Sequence, residues 1–434
     1  MGKQEILLRA IAACGELPCG MAEYILGSKS YTAALITRMK KEGLIGLRWK
    51  DGLRGYVLCA KGRKELLIKT GAEYRTLLAA MENVAHTQKE PQKRLRLHRV
   101  AKAWAYFYRM GVCVFPSEKS AFLSEKRVYR CEGSGQNYSL GNSDPGGDWN
   151  SDCKNNGWGD DHDGSPHSKK DTDAVTAYGS AYYTAFEFKN GNEQLRSFRA
   201  CGMLFIHGQA AVVYHTLDRR MRWARKTERT MQGFAEQASA RCGYQETVDM
   251  EMSPRTAWRQ DAPPYLKNAA RLGGAAVMIG DDMDVLLSLL ESDGGHKGDL
   301  FTLDDVYEYY YYFSMKDDGK AQMLAAFDTE ASGCLRNILS QTFDKGRERE
   351  YALADGYDED GTPVYFCYDL EMHRLARIKQ ELFVQGAGKF ICLDYQAETL
   401  KKYFGEEAEA LPLLPGKVME LLGGAAGAAR GMRP

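Results

Sequence analysis

A chain of 434 residues, 44% of them hydrophobic, is too long for one ordinary domain and apolar enough to bury two or three cores. Its 58 Lys and Arg match 58 Asp and Glu, yet residues 1–110 hold 21 cations against 9 anions, a surplus of +12 that the remainder offsets with 37 against 49. No run of about 18 uncharged apolar residues occurs, and the opening "MGKQEILLRA" has no signal-peptide core; a helical membrane span is excluded and a cytoplasmic protein is expected.

The first predicted helix, "KQEILLRAIAACG", places Ile6, Leu7, Ala10 and Ile11 at helical spacing and stops at Gly15. A second, "CGMAEYILG", is bounded by Gly20 and Gly27. Cys14 and Cys19 are the closest pair among 11 cysteines, an odd number without any CxxC. With no His cluster beside them they read as reduced thiols, not as a zinc site or a disulfide framework. The third helix begins after Ser28 or Ser30, either of which can cap it, and ends at Glu42-Gly43. Leu35, Ile36 and Met39 form its buried stripe, continued by Leu44 and Ile45, which leaves Arg38, Lys40 and Lys41 off that stripe. "LRW", the turn "KDG" and "LRGYVLCAKG" then read as a hairpin, because Asp51-Gly52 supplies the positive φ that a tight turn between strands requires. Three short helices and a basic hairpin are the ingredients of a winged helix.

In a helix-turn-helix, the second helix of the pair lies in the major groove, its N-terminal side chains reach base edges and flanking cations meet phosphates. On that reading Lys29, Ser30, Tyr31 and Thr32 face bases, with Thr37 further along. Arg38, Lys40, Lys41, Arg48, Lys50 and Arg54 then face the phosphates of double-stranded DNA. A protein-interaction scaffold is the alternative, since a basic head also docks on acidic protein. Homodimerisation accords with reading paired half-sites, although no heptad seam is present.

The segment "SKSYTAALITRMKKEGLIGLRWKDGLRGYVLCAKGRKEL" resembles the recognition helix and wing of bacterial winged-helix regulators. It follows their line of serine-rich cap, hydrophobic helix, "L/M-x-K-x-G-L-I", wing and "Y-x-L-T-x-K-G" strand, with Cys59 where Thr is usual. The layout of such a head before a larger α/β domain is similar to the replication-relaxation family and related accessory proteins of conjugative elements. "RACGMLF", "AVVYHTLDRRMRWARKTERT" and "CLDYQAETLKKY" also look like segments of proteins encoded on such elements. The resemblance implies a DNA-binding factor in replication, transfer or transcription control of a mobile element such as a plasmid, with the replication or transfer machinery as partner.

Residues from Lys64 to about Met110 are helical in composition, and Pro91 marks a hinge before the basic "PQKRLRLHRVAK". "VCVFP", Val112 to Pro116, reads as the first strand of the next domain, and Cys131 to Thr172, without apolar periodicity, as an insertion. "AYYTAFEFK", "CGMLFIHG" and "AAVVYHTL" read as strands and "RRMRWARKTERTMQGFAEQA" as a charged helix. "GAAVMIGDDMDVLLSLLES" and "KFICLDYQAETLKKYFGEE" each read as strand, acidic turn and helix. The expectation is a mixed α/β protein: a winged helix at 1–75, a basic helical connector at 76–110, an α/β domain at 111–407 and a flexible tail at 408–434.

Several motifs admit both a chemical and a plain reading. Glu187-Phe188-Lys189 on a strand would put carboxylate and ammonium on one face, as metal-dependent nucleases do to hold Mg²⁺ with an upstream Asp, here Asp171 or Asp173. Tyr182, Thr184, Phe186 and Phe188 would form the other face. Asp281, Asp282 and Asp284 follow a strand where α/β proteins place sites, and Asp394 repeats the pattern; capping the next helix explains them as well. Cys153, Asp160, Asp161, His162, Asp163 and His167 are ligand types off the twelve-residue Ca²⁺ pattern and read as solvated loop. "YEYYYYF", Tyr307 to Phe313, reads as a half-buried strand or a stacking platform, and no tyrosine in it stands out as a relaxase nucleophile. Binding without chemistry is expected, with no cofactor except Mg²⁺ under the nuclease alternative.

Overall fold

The computed structural model describes residues 1–70, 74–75, 77–78, 91–119, 180–189, 198–206, 209–250, 274–291, 300–327, 329–343, 351 and 353–422. The expected insertion at 131–172, Asp171 and Asp173 lie outside the described residues. The architecture is mixed α/β, with three sheets among the described residues.

The N-terminal module runs α1 (Lys3–Cys14), β1 (Leu17–Pro18), α2 (Cys19–Leu26), α3 (Lys29–Lys41), β2 (Ile45–Lys50), β3 (Leu53–Leu58) and α4 (Ala60–Thr70). Leu7, Ala10 and Ile11 of α1 are buried with Leu35, Ile36 and Met39 of α3 and with Leu44 and Ile45. This is the stripe that the 3.6-residue period predicts. The strands form an antiparallel sheet of order β1-β3-β2. Asp51 at φ 54° and Gly52 at φ 75° make the hairpin turn.

Helix α5 (Pro91–Met110) joins this module to the rest. It packs on α1, α2, β1 and β3 on one side and on strands of the body sheet on the other. Its Trp104, Tyr106 and Phe107 are buried in a core cluster that takes in both. Within the expected connector, helix α5 is therefore part of the core.

The body begins with β4 (Ala181–Thr184), α6 (Ala185–Lys189), β5 (Gly202–Ile206), β6 (Gln209–Leu217), α7 (Arg225–Met250), β7 (Ala275–Gly280), α8 (Asp284–Leu290) and β8 (Tyr309–Ser314). Its five strands lie in chain order, β4-β5-β6-β7-β8, and only β5 runs against the others. The continuous apolar run of β7 fits a parallel strand covered on both faces, and it is buried throughout. Next come α9 (Lys320–Phe327), α10 (Thr329–Thr342), β9 (Gly356–Tyr357), β10 (Pro363–Phe366), α11 (Met372–Gln385), β11 (Gly388–Leu393), α12 (Ala397–Phe404) and β12 (Ala408–Leu413). They build a sheet of order β12-β11-β10-β9 with its own small core around Val364, Phe366, Ile391 and Leu393. Glu371, capping α11, joins the two sheets by accepting the Tyr310 N–H at 3.2 Å.

Four expectations change. "AYYTAFEFK" is strand only to Thr184; the Glu187 carboxylate accepts the Thr184 N–H at 2.7 Å and the chain turns into α6. "VCVFP" makes a single bridge from Cys113 to Ala181, because Pro116 opens a 3₁₀ turn. The charged helix starts at Arg225, six residues later than expected, since Met221 and Trp223 turn into the core and Met221 pairs with Phe301. The expected tail is ordered through Leu422: β12 lies parallel to β11, and Val418 and Leu422 join the second core. Residues 423–434 lie outside the described residues.

Candidate nucleic-acid interface

The N-terminal turn of α3 presents Lys29, Ser30 and Tyr31 to solvent. Thr32 does not join them: it is buried, and its hydroxyl donates to the Ser28 carbonyl at 2.6 Å, because it shares the helix face of Leu35, Ile36 and Met39. Ser28 occupies the cap position without a side-chain hydrogen bond to the helix, which leaves the first N–H groups of α3 open at a terminus of positive partial charge. Thr37 is exposed, its hydroxyl donating to Ala33 O at 2.8 Å. Arg38 is exposed and partly held, donating to Gln4 at 3.2 Å and lying 3.9 Å from Glu42. Lys40 and Lys41 are exposed, and no ion pair holds either among the described residues.

Cross-strand pairing sets the outer face of the hairpin. Leu47 pairs with Tyr56 and Trp49 with Arg54, so these four side chains share one face. The Arg54 guanidinium lies 5.0 Å from the Trp49 ring centroid, and the Lys40 ammonium 5.3 Å from that of Tyr56. Lys40 thus links the end of α3 to the hairpin, making one surface of alternating cations and aromatic rings. Arg48 and Lys50 alternate onto the other face: Lys50, next to the turn, is exposed, whereas Arg48 is half-buried, 3.9 Å from Glu16.

A buried charge network holds this hairpin in place. Arg94 of α5, with no exposed side-chain surface, donates to both Glu16 carboxylate oxygens at 3.1 and 2.5 Å. It also donates to the carbonyls of Lys50 at 2.7 Å and Leu53 at 3.2 Å. His98, one turn on, hydrogen-bonds Glu16 at 2.9 Å. Burial disfavours the Glu16 anion, but the bonds from His98 and Arg94 outweigh it and hold the carboxyl below its usual range. Gly55 makes room: a Cβ there would fall 2.5 Å from Glu16 Oε1.

The candidate acids of the body are occupied. Glu187 lies on helix α6 and pairs with the buried Lys119 at 2.9 Å, so the strand geometry that would put it on one face with Lys189 is absent. Burial lowers the Lys119 pKa, against the pull of Glu187. Asp281 pairs with Lys102 at 2.5 Å and Asp282 with Lys316 at 3.1 Å. Met283, not an Asp, occupies the cap position of α8, and Asp284 lies in its first turn. Asp394 accepts the Tyr395 N–H at 2.7 Å. Tyr307, Tyr310 and Tyr312 are buried, their hydroxyls bonded to Tyr214, Asp304 and the Asp282 carbonyl. They cannot serve as a stacking platform. Among the described residues no group of three or more His, Cys, Asp or Glu is placed to hold a metal ion. Cys153, Asp160, Asp161, His162, Asp163 and His167 lie outside the described residues.

The sequence reading passed over two parts of this surface. Trp49, 69% exposed between Arg48 and Lys50, had a legible signal: strand alternation puts it outward, beside Arg54. The Glu16–Arg94–His98 network had none, since its members lie 78 and 82 residues apart.

No protein family, curated protein or solved structure matches the chain. Among the described residues no helix is long and apolar enough to cross a membrane.

Proposed function

We propose that residues 1–70 form a winged helix that binds double-stranded DNA, and that the chain works as a DNA-binding accessory or regulatory factor without chemistry of its own. The observation that carries this reading is the surface made by α3 and the β2–β3 hairpin, on which Lys29, Lys40, Lys41 and Arg54 are exposed, with Lys50 exposed beside the hairpin turn, and none of the five in an ion pair among the described residues. The element order and the β1-β3-β2 sheet support the winged helix, with α3 as the helix that enters the major groove. Lys29, Ser30 and Tyr31 then face bases, while the cations of the C-terminal turn and hairpin displace counterions from phosphates. Trp49 and Tyr56 add flat apolar contact beside the sugars. Service in replication, transfer or transcription control of a mobile element is proposed on the resemblance of the layout, such a head before a larger α/β domain, to the replication-relaxation family and related accessory proteins of conjugative elements.

Lysine acetylation read by mass spectrometry, with and without duplex DNA, tests the placement. Lys29, Lys40, Lys41 and Lys50 become protected, while Lys316 and Lys401 stay reactive. Equal labelling of all six with saturating DNA would remove this surface from the account.

A further inference from the structure

The body carries a second concentration of cations that the head does not explain. Arg96 and Arg99 lie three residues apart on α5 and so share a face, one turn before Lys102, whose pairing with Asp281 places this stretch of α5 beside the end of β7. The Asp281 N–H donates to the Leu217 carbonyl at 2.9 Å, so β6 ends at the same edge. Arg219 and Arg222 follow β6 directly. Arg199 precedes β5, whose antiparallel pairing with β6, extended by the Cys201 N–H to Val213 O bond of 2.7 Å, brings it to that edge too. Five guanidinium groups thus converge where β6 and β7 end, the side of an open α/β sheet where ligands bind.

Little balances them. Asp218, well exposed, lies 3.7 Å from the equally exposed Arg219, its one ion-pair partner among the described residues. Glu228 is buried and accepts the Tyr214 hydroxyl at 2.5 Å. Arg99 is half-buried, and its Nε has neither solvent nor a hydrogen-bond partner. Burial lowers the Arg99 and Arg199 pKa values, and the neighbouring arginines push them in the same direction: Arg96 and Arg219 act on Arg99, while Arg96, Arg99 and Arg222 act on Arg199. Repelling, partly desolvated guanidinium groups raise the energy of the empty site, which an anion with several oxygens relieves.

We propose that Arg96, Arg99, Arg199, Arg219 and Arg222 form a phosphate-binding site that takes backbone phosphates of a nucleic-acid strand, a second anchor beyond the α3–hairpin surface. The choice of a nucleic-acid strand as the phosphate source rests on the DNA-binding reading of the head; the anion site itself does not. Five guanidinium groups spread over a helix and two loops exceed the needs of one phosphate. Arg94, which grips the hairpin, and Arg99 are also only about 7.5 Å apart along the same helix.

Two probes on the full chain test the site: inorganic triphosphate in thermal melts, and random duplex DNA in salt-dependent anisotropy. The variants are R99Q/R199Q and, from the exposed rim, R96Q/R222Q. In the wild type, triphosphate raises the melting midpoint, and each double variant loses most of that shift. Without ligand, R99Q/R199Q melts no lower than wild type because repulsion is removed; if that pair fails to fold, R96Q/R222Q decides. In DNA binding, each variant flattens the log–log salt slope by about 2. Triphosphate stabilisation lost in the variants with an unchanged DNA slope would keep the phosphate site but overturn the nucleic-acid strand as its source. Wild type that binds no DNA but responds to triphosphate through these arginines would retain the site and discard the reading of the head. No triphosphate shift, together with identical DNA slopes, would overturn the proposal.

Discussion

The head and the body hold the same charged residue types and arrange them in opposite ways. On α3 and the hairpin, Lys29, Lys40, Lys41, Lys50 and Arg54 point to solvent, without an ion pair among the described residues. The buried carboxylate of the head, Glu16, is fixed beneath the hairpin by Arg94 and His98. Around the body, Lys102 of α5, Lys119, Lys316, Arg374 and Lys389 each meet a carboxylate: Asp281, Glu187, Asp282, Asp355 and Asp358. A charge that already has a partner must give it up to bind anything else. Those paired acids of the body are therefore scaffold, whereas these five head cations are open to a polyanion, with the arginine cluster at the end of β6 as the body's exception.

Breaking the support under the hairpin gives the largest expected effect. Arg94→Ala leaves Glu16 buried and unpaired and costs about 3–5 kcal/mol, read as a drop in the chemical-denaturation midpoint. The double change Arg94→Met with Glu16→Met restores much of the loss, whereas equal loss in both would mean the network contributes by packing alone. For the same reason a fragment ending at residue 75 lacks Glu16's partners and melts below one ending at 119. Acid has the same target. The folded Glu16 pKa lies below its unfolded value, so its contribution is full above about 4.5 and disappears as pH falls through the folded pKa.

Gly55→Ala is next, at about 1–3 kcal/mol, because the new methyl group would push on the Glu16 carboxylate that Arg94 holds. Gly52→Ala, whose Cβ would meet nothing within 4 Å, strains only the turn and costs less. Denaturation of the two variants side by side checks the order.

A smaller effect belongs to the body. Burial pushes the Glu371 carboxyl up to about 7, although the N–H groups of Tyr310, Arg374 and His373 favour its anion. The folded state then binds more protons than the unfolded one between about 4.5 and 7, so this contribution is full at low pH and is lost as pH rises through that window. Stability measured from pH 5 to 8 should decline less in Glu371→Gln than in wild type. Parallel pH profiles would show that Glu371 is ionised throughout.

Much of the head was legible because its signals are local. The stripe Leu35, Ile36, Met39 and the turn Asp51-Gly52 each lie within a few residues of what they organise. In the body, the apolar runs of β5, β6, β7 and β11 were equally plain, as was the strand-to-helix design after β7 and β11. Illegible features depend on distant partners. Alternating aromatic residues in "AYYTAFEFK" suit a strand, but Glu187 turning back to Thr184 N–H starts a helix. The residues of β12 look like tail until β11 is beside them. Thr32 was misplaced for a simpler reason: at three residues before Leu35 it falls on the buried stripe. The arginine cluster is drawn from α5, the start of β5 and the end of β6, about a hundred residues apart, and no window on the sequence contains it.

The central claim, that the head's unpaired cations meet DNA, is tested most directly by anisotropy of the full chain with random duplex across a salt series. Lys40, Lys41, Lys50 and Arg54 at phosphates give a log–log slope of about −3.6, and K50A/R54A flattens it by about 2 without lowering the melting midpoint. Absence of binding at low salt, or a slope indifferent to K50A/R54A, would contradict the account and assign the cations of α3 and the hairpin to an acidic protein partner.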